Sequence, residues 1–515
     1  MKTITAVQLY DHVTCPRRVD LDAHGDHGMR TAVSPFVRML WERGAGHETD
    51  VVATLPPGTV YLAGLDGGER AARAADAMAS GAGLIHGGRI AVDDLLGDPD
   101  LLVRRGDGYI AADIKSGRAE EDGDDDAGPG SGRPKVHYAV QIALYTDILE
   151  RLGASAGRMP EIWDVRGDRV PYKLDAPRGP RTSSSLWDLY AKTRDAVREI
   201  LSSPHSTRGA LAATCGLCHW REFCGAELEA VDDLTRIPSL GRAARDGMVE
   251  TVPTVAGLAA VDPEAFVTGR KTAFAGVGPD RLRLYHARAK LLATPGARAY
   301  LRSPIVLPTT MIELFFDIEA DPMRDLVYLH GFVERADRDP ASETYTAFYA
   351  DAATPEAEEQ AFADAVAYMS ERPHASIFYY SKYERTMYRK LQRRFPDVCS
   401  ADDIEAIFTP PRSVDLYCDV VMKATEWPTR NHSIKTLAKH LGFAWRDTDP
   451  SGAASIEWYH RWVETGDPAI RQRILDYNED DCRATAVVLD GIRGLAPFAG
   501  AVAVEKSRLA AADLF

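Results

Sequence analysis

The sequence predicts an α/β protein: an N-terminal α/β domain over residues 1–230, a helical linker over 231–307 and a C-terminal α/β domain over 308–515. Three observations carry that expectation. The chain has 515 residues, room for about three domains of ordinary size. Strand-like apolar runs near Leu101-Leu102-Val103 and before Asp113-Ile114-Lys115 are mixed with helical patterns in the first region. Ile312 to Glu319 reads as a buried strand with Leu326 to Glu334 as its hairpin partner, and helices follow.

Hydrophobic residues make up 45% of the chain, enough for real cores. No stretch approaches the ~18 apolar residues of a membrane span. The start, MKTITAVQLYDHVTC, has no apolar secretory region, so a cytoplasmic protein without membrane partners is expected. The net charge of −15 opposes nucleic-acid binding at first sight. Locally the balance reverses: residues 236–302 hold eleven Lys/Arg against five Asp/Glu. Arg385, Arg389, Lys390, Arg393 and Arg394 cluster on another predicted helix. Such faces suit phosphates or are simply solvated. A phosphate-binding G-x-x-x-x-G-K-[ST] loop is not found, so no ATP motor of its own is expected.

Along the chain, Glu120 to Arg133 (EEDGDDDAGPGSGR) is an acidic, glycine-rich loop that cannot bury anything. Residues 231–305 look helical. Within them Gly276-Val277-Gly278-Pro279 resembles a helix-hairpin-helix turn, with an ordinary linker as the alternative. Helices are predicted near 356–371, 383–395 and 467–492, the last opened by Asp467-Pro468, a cap followed by proline.

In the first region, Asp113 and Lys115 stand at i, i+2 on a strand and face one way. Asp100, at the end of Gly97-Asp98-Pro99-Asp100, joins them from a neighbouring hairpin strand. Converging carboxylates can hold a divalent cation, and a lysine beside them can orient or deprotonate water. Upstream, Glu42-Arg43-Gly44-Ala45-Gly46-His47-Glu48 closes a helical run and offers His47, a nitrogen ligand that favours Mn²⁺ somewhat over Mg²⁺. Downstream, Gln141 and Tyr145 share a helix face. The order His, G-x-P-D, D-x-K, Q-x-x-x-Y resembles the PD-(D/E)xK nucleases of RecB type, especially the CRISPR-associated adaptation nucleases. That resemblance implies a restriction-endonuclease-like fold. It implies His47, Asp100 and Asp113 as metal ligands, Lys115 as the catalytic lysine, and Gln141 and Tyr145 as supporting groups.

The seven cysteines are an odd number, which in a cytoplasmic chain argues for metal or inert thiols over disulfides. Cys215, Cys218 and Cys224 form C-x2-C-x5-C, which lets three thiolates meet one centre; Cys15 is the candidate fourth. Four thiolates suit zinc or [4Fe–4S], and spacing alone does not choose. RecB-type nucleases of this subgroup carry this cysteine pattern, so the resemblance implies a [4Fe–4S] cluster on Cys15, Cys215, Cys218 and Cys224. It would staple the ends of a loop of about 200 residues. Cys399, Cys418 and Cys482 read as buried thiols.

In the last region, Asp317 and Glu319 share one side of a strand, and Tyr477 and Asp481 share one face of a helix. Glu384, in Tyr380-Ser381-Lys382-Tyr383-Glu384, adds a carboxylate. Converging acids suit a two-metal phosphodiesterase, with Tyr477 orienting water. The segment resembles the DnaQ-like 3′–5′ exonucleases of RNase H-like fold, whose motifs run D-x-E, D and Y-x3-D. Glu384 departs from that pattern by one methylene, which leaves a domain that binds without cutting as an alternative. Asp415 reads as a cap or turn rather than an accessory acid.

Taken together the chain resembles bacterial RecB-type nucleases with an appended RNase H-like exonuclease domain. The resemblance implies a metal-dependent DNA nuclease using Mn²⁺ or Mg²⁺ on single strands or ends, in repair or recombination, with a separate helicase as a candidate partner. An RNA-processing exonuclease and a non-catalytic iron–sulfur DNA-binding scaffold are the rivals. Tyr138, Tyr145, Trp163 and Trp220 are candidates for stacking on bases, against core packing as the alternative.

Overall fold

The computed structural model describes residues 2–121, 132–179, 182–448 and 451–497. The chain divides into two compact units, Met1–Gly209 with Ala213–Glu227, and Leu228–Phe515 with Ala210–Ala212.

The first unit opens with α1 (Ala6–Thr14), started by a reciprocal Thr5–Gln8 capping box. Then come α2 (Pro16–His24) and α3 (Pro35–Ala53), each with proline in its first turn. The helical run expected to close at Glu48 continues to Ala53, since no breaker interrupts Thr49–Val52. A mixed six-stranded sheet follows: β1 (Val60–Tyr61), β2 (Leu84–His86), β3 (Leu101–Arg105), β4 (Gly108–Ile114), β5 (Glu161–Trp163) and β6 (Arg169–Pro171), in the order β6-β5-β4-β3-β2-β1. β3 and β4 form the expected antiparallel hairpin. α4 (Val136–Arg151) covers one face, burying Ala139, Ile142 and Ala143 with Leu102, Ala111 and Ile162. Leu101, Ile110, Ala112 and Ile114 point to the other face, where Val51 and Val52 of α3 pack. The two-sided burial explains why β4 reads as a continuous apolar run. Residues 122–131 of the acidic loop lie outside the described residues; its ends pair as Glu120–Glu121 with Arg133–Pro134.

In the second unit, residues 231–307 hold three α-helices, Arg242–Met248, Val255–Ala260 and α5 (Pro279–Ala293). The rest of that segment is turns, 3-10 helix and short ladders, so it is less helical than its composition suggests. The glycine turn before Pro279 follows the two-residue hairpin Val267–Thr268/Lys271–Thr272 rather than a helix. Next come β7 (Ile312–Asp321), β8 (Leu326–Ala336), β9 (Thr344–Tyr349), α6 (Pro355–Ser370), β10 (Ser376–Tyr379), α7 (Lys382–Arg394), β11 (Ser413–Asp415), α8 (Ile434–His440), α9 (Gly452–Thr465) and α10 (Pro468–Arg493). The sheet runs β9-β8-β7-β10-β11. Its first three strands are antiparallel, and β10 and β11 run parallel to β7. Phe316 and Ile318 of β7 pack with Phe362 and Met369 of α6, while Phe315 joins the cluster holding Ala486 and Leu489 of α10.

Part of each basic cluster is paired with acids of the same unit. Arg385 and Arg389 bond Glu405, and Lys390 and Arg394 bond Asp325. Arg245 pairs with buried Asp233, Arg283 with Glu264, and Arg288 with Glu426. These pairs neutralise part of the positive charge that the sequence counts. Among the described residues no helix is long and apolar enough to cross a membrane.

Candidate active site

Strand alternation puts Asp317 and Glu319 on one side of β7. The Asp467 cap, accepting from the Ala469 amide at 2.8 Å, starts α10, which carries Asp481 to the same place. One carboxylate oxygen of each of Asp317, Glu319 and Asp481 lies within 4.8 Å of the others. Glu319 and Asp481 are buried and Asp317 is half-buried. Burial, and then the neighbouring Asp481, pushes Glu319 up to about 8. Burial followed by Asp481, Glu319 and Glu384 lifts Asp317 well above the usual carboxylate range. Acids this close cannot all ionise without a counter-charge, so the trio fits a divalent cation.

Glu384, in the first turn of α7, is pushed up to about 8 by burial and accepts a 3.2 Å bond from the Ser381 hydroxyl. It stands beside Asp317 but outside the trio. Asp415 accepts from the Cys418 amide at 2.7 Å, which is the cap read from the sequence.

Around the trio stand residues that sequence reasoning missed. Asn478 donates to Asp317 at 2.8 Å, and Trp445 donates its indole N–H to Asp481 at 2.7 Å. The Lys435 ammonium donates to the Tyr477 hydroxyl at 2.7 Å. Ser455 meets Tyr328, whose hydroxyl lies 3.5 Å from Glu319. Only Asn478 carried a sequence signal, inside Tyr477-Asn478-Glu479-Asp480-Asp481.

In the first unit, Lys115 Nζ is 3.0 Å from Asp113. Asp100 accepts from the Ile114 amide at 2.7 Å and is pushed up to about 8 by burial and then by Asp113. Burial works against the Lys115 charge, but Asp113 and Asp100 outweigh it and raise its pKa. Gln141 Oε1 and His47 Nε2 are buried without hydrogen-bond partners. The α3 residue whose charge reaches Asp100 is Glu48, next to His47, and it stands 3.7 Å from His86. Tyr145 reaches the Asp98 carbonyl at 3.5 Å, and its ring fills the space that a Cβ on Gly97 would take. A cleft of about 430 Å³ opens at Lys115 and Gln141, lined also by Tyr10, Tyr138, Trp41 and Arg18. Tyr138 is half-buried there, whereas Tyr145, Trp163 and Trp220 are buried as core.

Cys15 joins α1 to α2, Cys215 lies in a 3-10 turn, Cys218 follows it and Cys224 sits on the helix Arg221–Ala230. Burial first, then Cys15 and Cys218, pushes the Cys224 thiol up to about 12. Burial also raises Cys218, with Cys15 and Cys215 adding to the effect. Cys224 thus feels Cys15 and Cys218, and Cys218 feels Cys15 and Cys215. The loop is pinned by His219 and Trp220, which bond Asp22 at 2.8 and 2.9 Å. Cys482 is buried as expected, whereas Cys399 and Cys418 are only half-buried.

Residues 314–492 match the family model of the RNase_H superfamily. The C-terminal region therefore carries an RNase H-like domain, consistent with a hydrolytic nuclease that acts on nucleic acid, and its carboxylate trio suits the divalent metals such domains use. Among curated proteins none matches the chain significantly.

Proposed function

We propose that the chain is a metal-dependent DNA nuclease with two hydrolytic sites, acting on single strands or ends in repair or recombination. The observation that carries this reading is the Asp317–Glu319–Asp481 cluster inside the RNase H-like domain. A divalent cation, Mn²⁺ or Mg²⁺, supplies charge neutralisation and Lewis acidity for phosphodiester hydrolysis. Asp317, Glu319 and Asp481 would hold it, with Glu384 alongside. Asn478 fixes the Asp317 carboxylate, and the Tyr477 hydroxyl orients water for attack as the domain trims 3′ ends.

The first unit is proposed as a RecB-type PD-(D/E)xK nuclease. Asp100 and Asp113 would hold its cation, with His47 or the adjoining Glu48 completing the set, and Lys115 directs the attacking water. Gln141, its carbonyl oxygen unpartnered at the cleft, holds substrate or water. Cys15, Cys215, Cys218 and Cys224 would carry a [4Fe–4S] cluster as a staple of this unit, a reading supported by their C-x2-C-x5-C spacing and by the influence of Cys15 on both Cys218 and Cys224. A separate helicase would supply single strands in the cytoplasm.

The test is digestion of 5′- and 3′-labelled single-stranded DNA and matched RNA by anaerobically purified protein with Mn²⁺. D113A and D317A are run beside wild type. Loss of one product class in each variant assigns the two sites. Cleavage of RNA alone would replace DNA by RNA as substrate. Intact substrates throughout would overturn the nuclease reading. Iron and sulfide content, in wild type and C218S, tests the cluster separately.

A further inference from the structure

Lys435 belongs to no motif of the C-terminal site, yet it stands inside it. It lies in the first turn of α8, where the Ser433 cap accepts from the Thr436 amide. Leu437 and Ala438 bury the same helix in the core, and the Tyr380 hydroxyl donates to the His432 carbonyl at 2.7 Å, so the backbone carrying Lys435 is held at both ends. From there the ammonium reaches Tyr477, donating to its hydroxyl at 2.7 Å and lying 4.6 Å from the ring centroid. It also lies 6.0 Å from the ring of Trp445, the residue that donates to Asp481.

Two consequences follow from this placement. A phenol oxygen that accepts from an ammonium must point its own single O–H elsewhere. For Tyr477 the acceptor in reach is Asp481, one turn along the same face of α10. Second, a fixed positive charge among acids competes with any other cation there. The charge of Lys435 is felt at Asp317, Glu319 and Asp481.

Resting on the nuclease reading of this site, the geometry points to Lys435 as a positioning residue: it aims the Tyr477 hydroxyl into the site and tempers the hold of the carboxylates on a divalent cation. A site that binds its cation less tightly but keeps its water-orienting hydroxyl aligned trades affinity for turnover.

The experiment uses the full chain in a D113A background, so that only the C-terminal site reports. Mn²⁺ binding is measured by calorimetry for that parent, K435M and K435R, with D317A as the control for lost binding. Turnover of single-stranded DNA is measured beside it. K435M is expected to bind Mn²⁺ roughly tenfold more tightly, while K435R keeps the parent affinity. Turnover of K435M is expected to fall roughly 10- to 100-fold with little change in KM. A residue that merely supports the fold would weaken Mn²⁺ binding instead. K435M binding no more tightly than the parent, K435R behaving like K435M in affinity, or K435M with full turnover would each overturn the assignment. If K435M does not fold, K435Q takes its place under the same criteria. An inactive parent with Mn²⁺ affinities in the expected order counts against the proposed function and supports the charge role of Lys435.

Discussion

Asn478 donates its side-chain amide to Asp317 at 2.8 Å, directly over Gly331, the residue that faces Asp317 across the β7–β8 ladder. A Cβ on Gly331 would come within 1.6 Å of the Asn478 oxygen, so the missing side chain makes room for the amide. That oxygen also accepts from the Tyr345 hydroxyl at 2.9 Å, which fixes which end of the amide faces Asp317. Asn478→Leu is expected to cut activity or metal affinity of this site roughly 10- to 100-fold. Gly331→Ala is expected to do the same while destabilising the fold by about 1–3 kcal/mol through overpacking. Steady-state kinetics and urea denaturation check the pair.

Stability of the metal-free chain is expected to depend on pH through its raised buried acids, Glu319 among them. The Glu319 carboxyl has an ordinary value of 4.5 and is pushed up to about 8 in the fold. A raised acid binds more protons folded than unfolded, so the folded state loses stability as pH climbs from about 4.5 to about 8. Chelated protein should therefore melt lower near pH 8 than near pH 6, and added Mn²⁺ should narrow the gap. Glu319→Gln should reduce the slope, with the raised acids Asp317, Glu384 and Asp100 supplying the remainder. Equal melting temperatures at both pH values in chelator would contradict this.

Arg288 and Glu426 are both 1% exposed and 2.8 Å apart, with Arg302 as a second partner of the same carboxylate. Arg288→Met leaves that carboxylate buried with one partner at its edge. The expected cost is about 3–5 kcal/mol, read as a shift in the denaturant midpoint of the whole chain. The double replacement Arg288→Met with Glu426→Leu should recover much of it, because a well-packed apolar pair avoids the desolvation cost.

At the N-terminal site Glu48→Gln is expected to lower D113-dependent cleavage roughly tenfold or more. Labelled DNA digestion in a D317A background checks it, with His47→Ala alongside. A wild-type rate for Glu48→Gln with loss in His47→Ala would return the ligand role to the histidine.

The legibility of these sites follows from the distance over which each signal acts. Asp317 with Glu319 and Tyr477 with Asp481 are separated by one strand or helix period, so local geometry alone sets them side by side. Asp113 with Lys115 is the same case. His47 and Glu48 are neighbours on a helix and point about 100° apart, and only packing against the sheet decides which meets Asp100. Lys435 reaches Tyr477 because α8 packs on α10, a contact that no spacing rule encodes. The arginines of α7 were readable as charges but not as pairs, since Asp325 and Glu405 approach them from separate parts of the chain.

The antiparallel pair of Tyr300–Leu301 with Thr425–Glu426, together with the arginines on Glu426, bears on how this molecule can be cut apart. A fragment begun at residue 308, just before the RNase H-like region, would keep every acid of the C-terminal site yet leave Glu426 stripped of both cations and of its strand neighbour. Dissection guided by motifs alone would thus yield a destabilised piece, and a start near residue 228 keeps these contacts together.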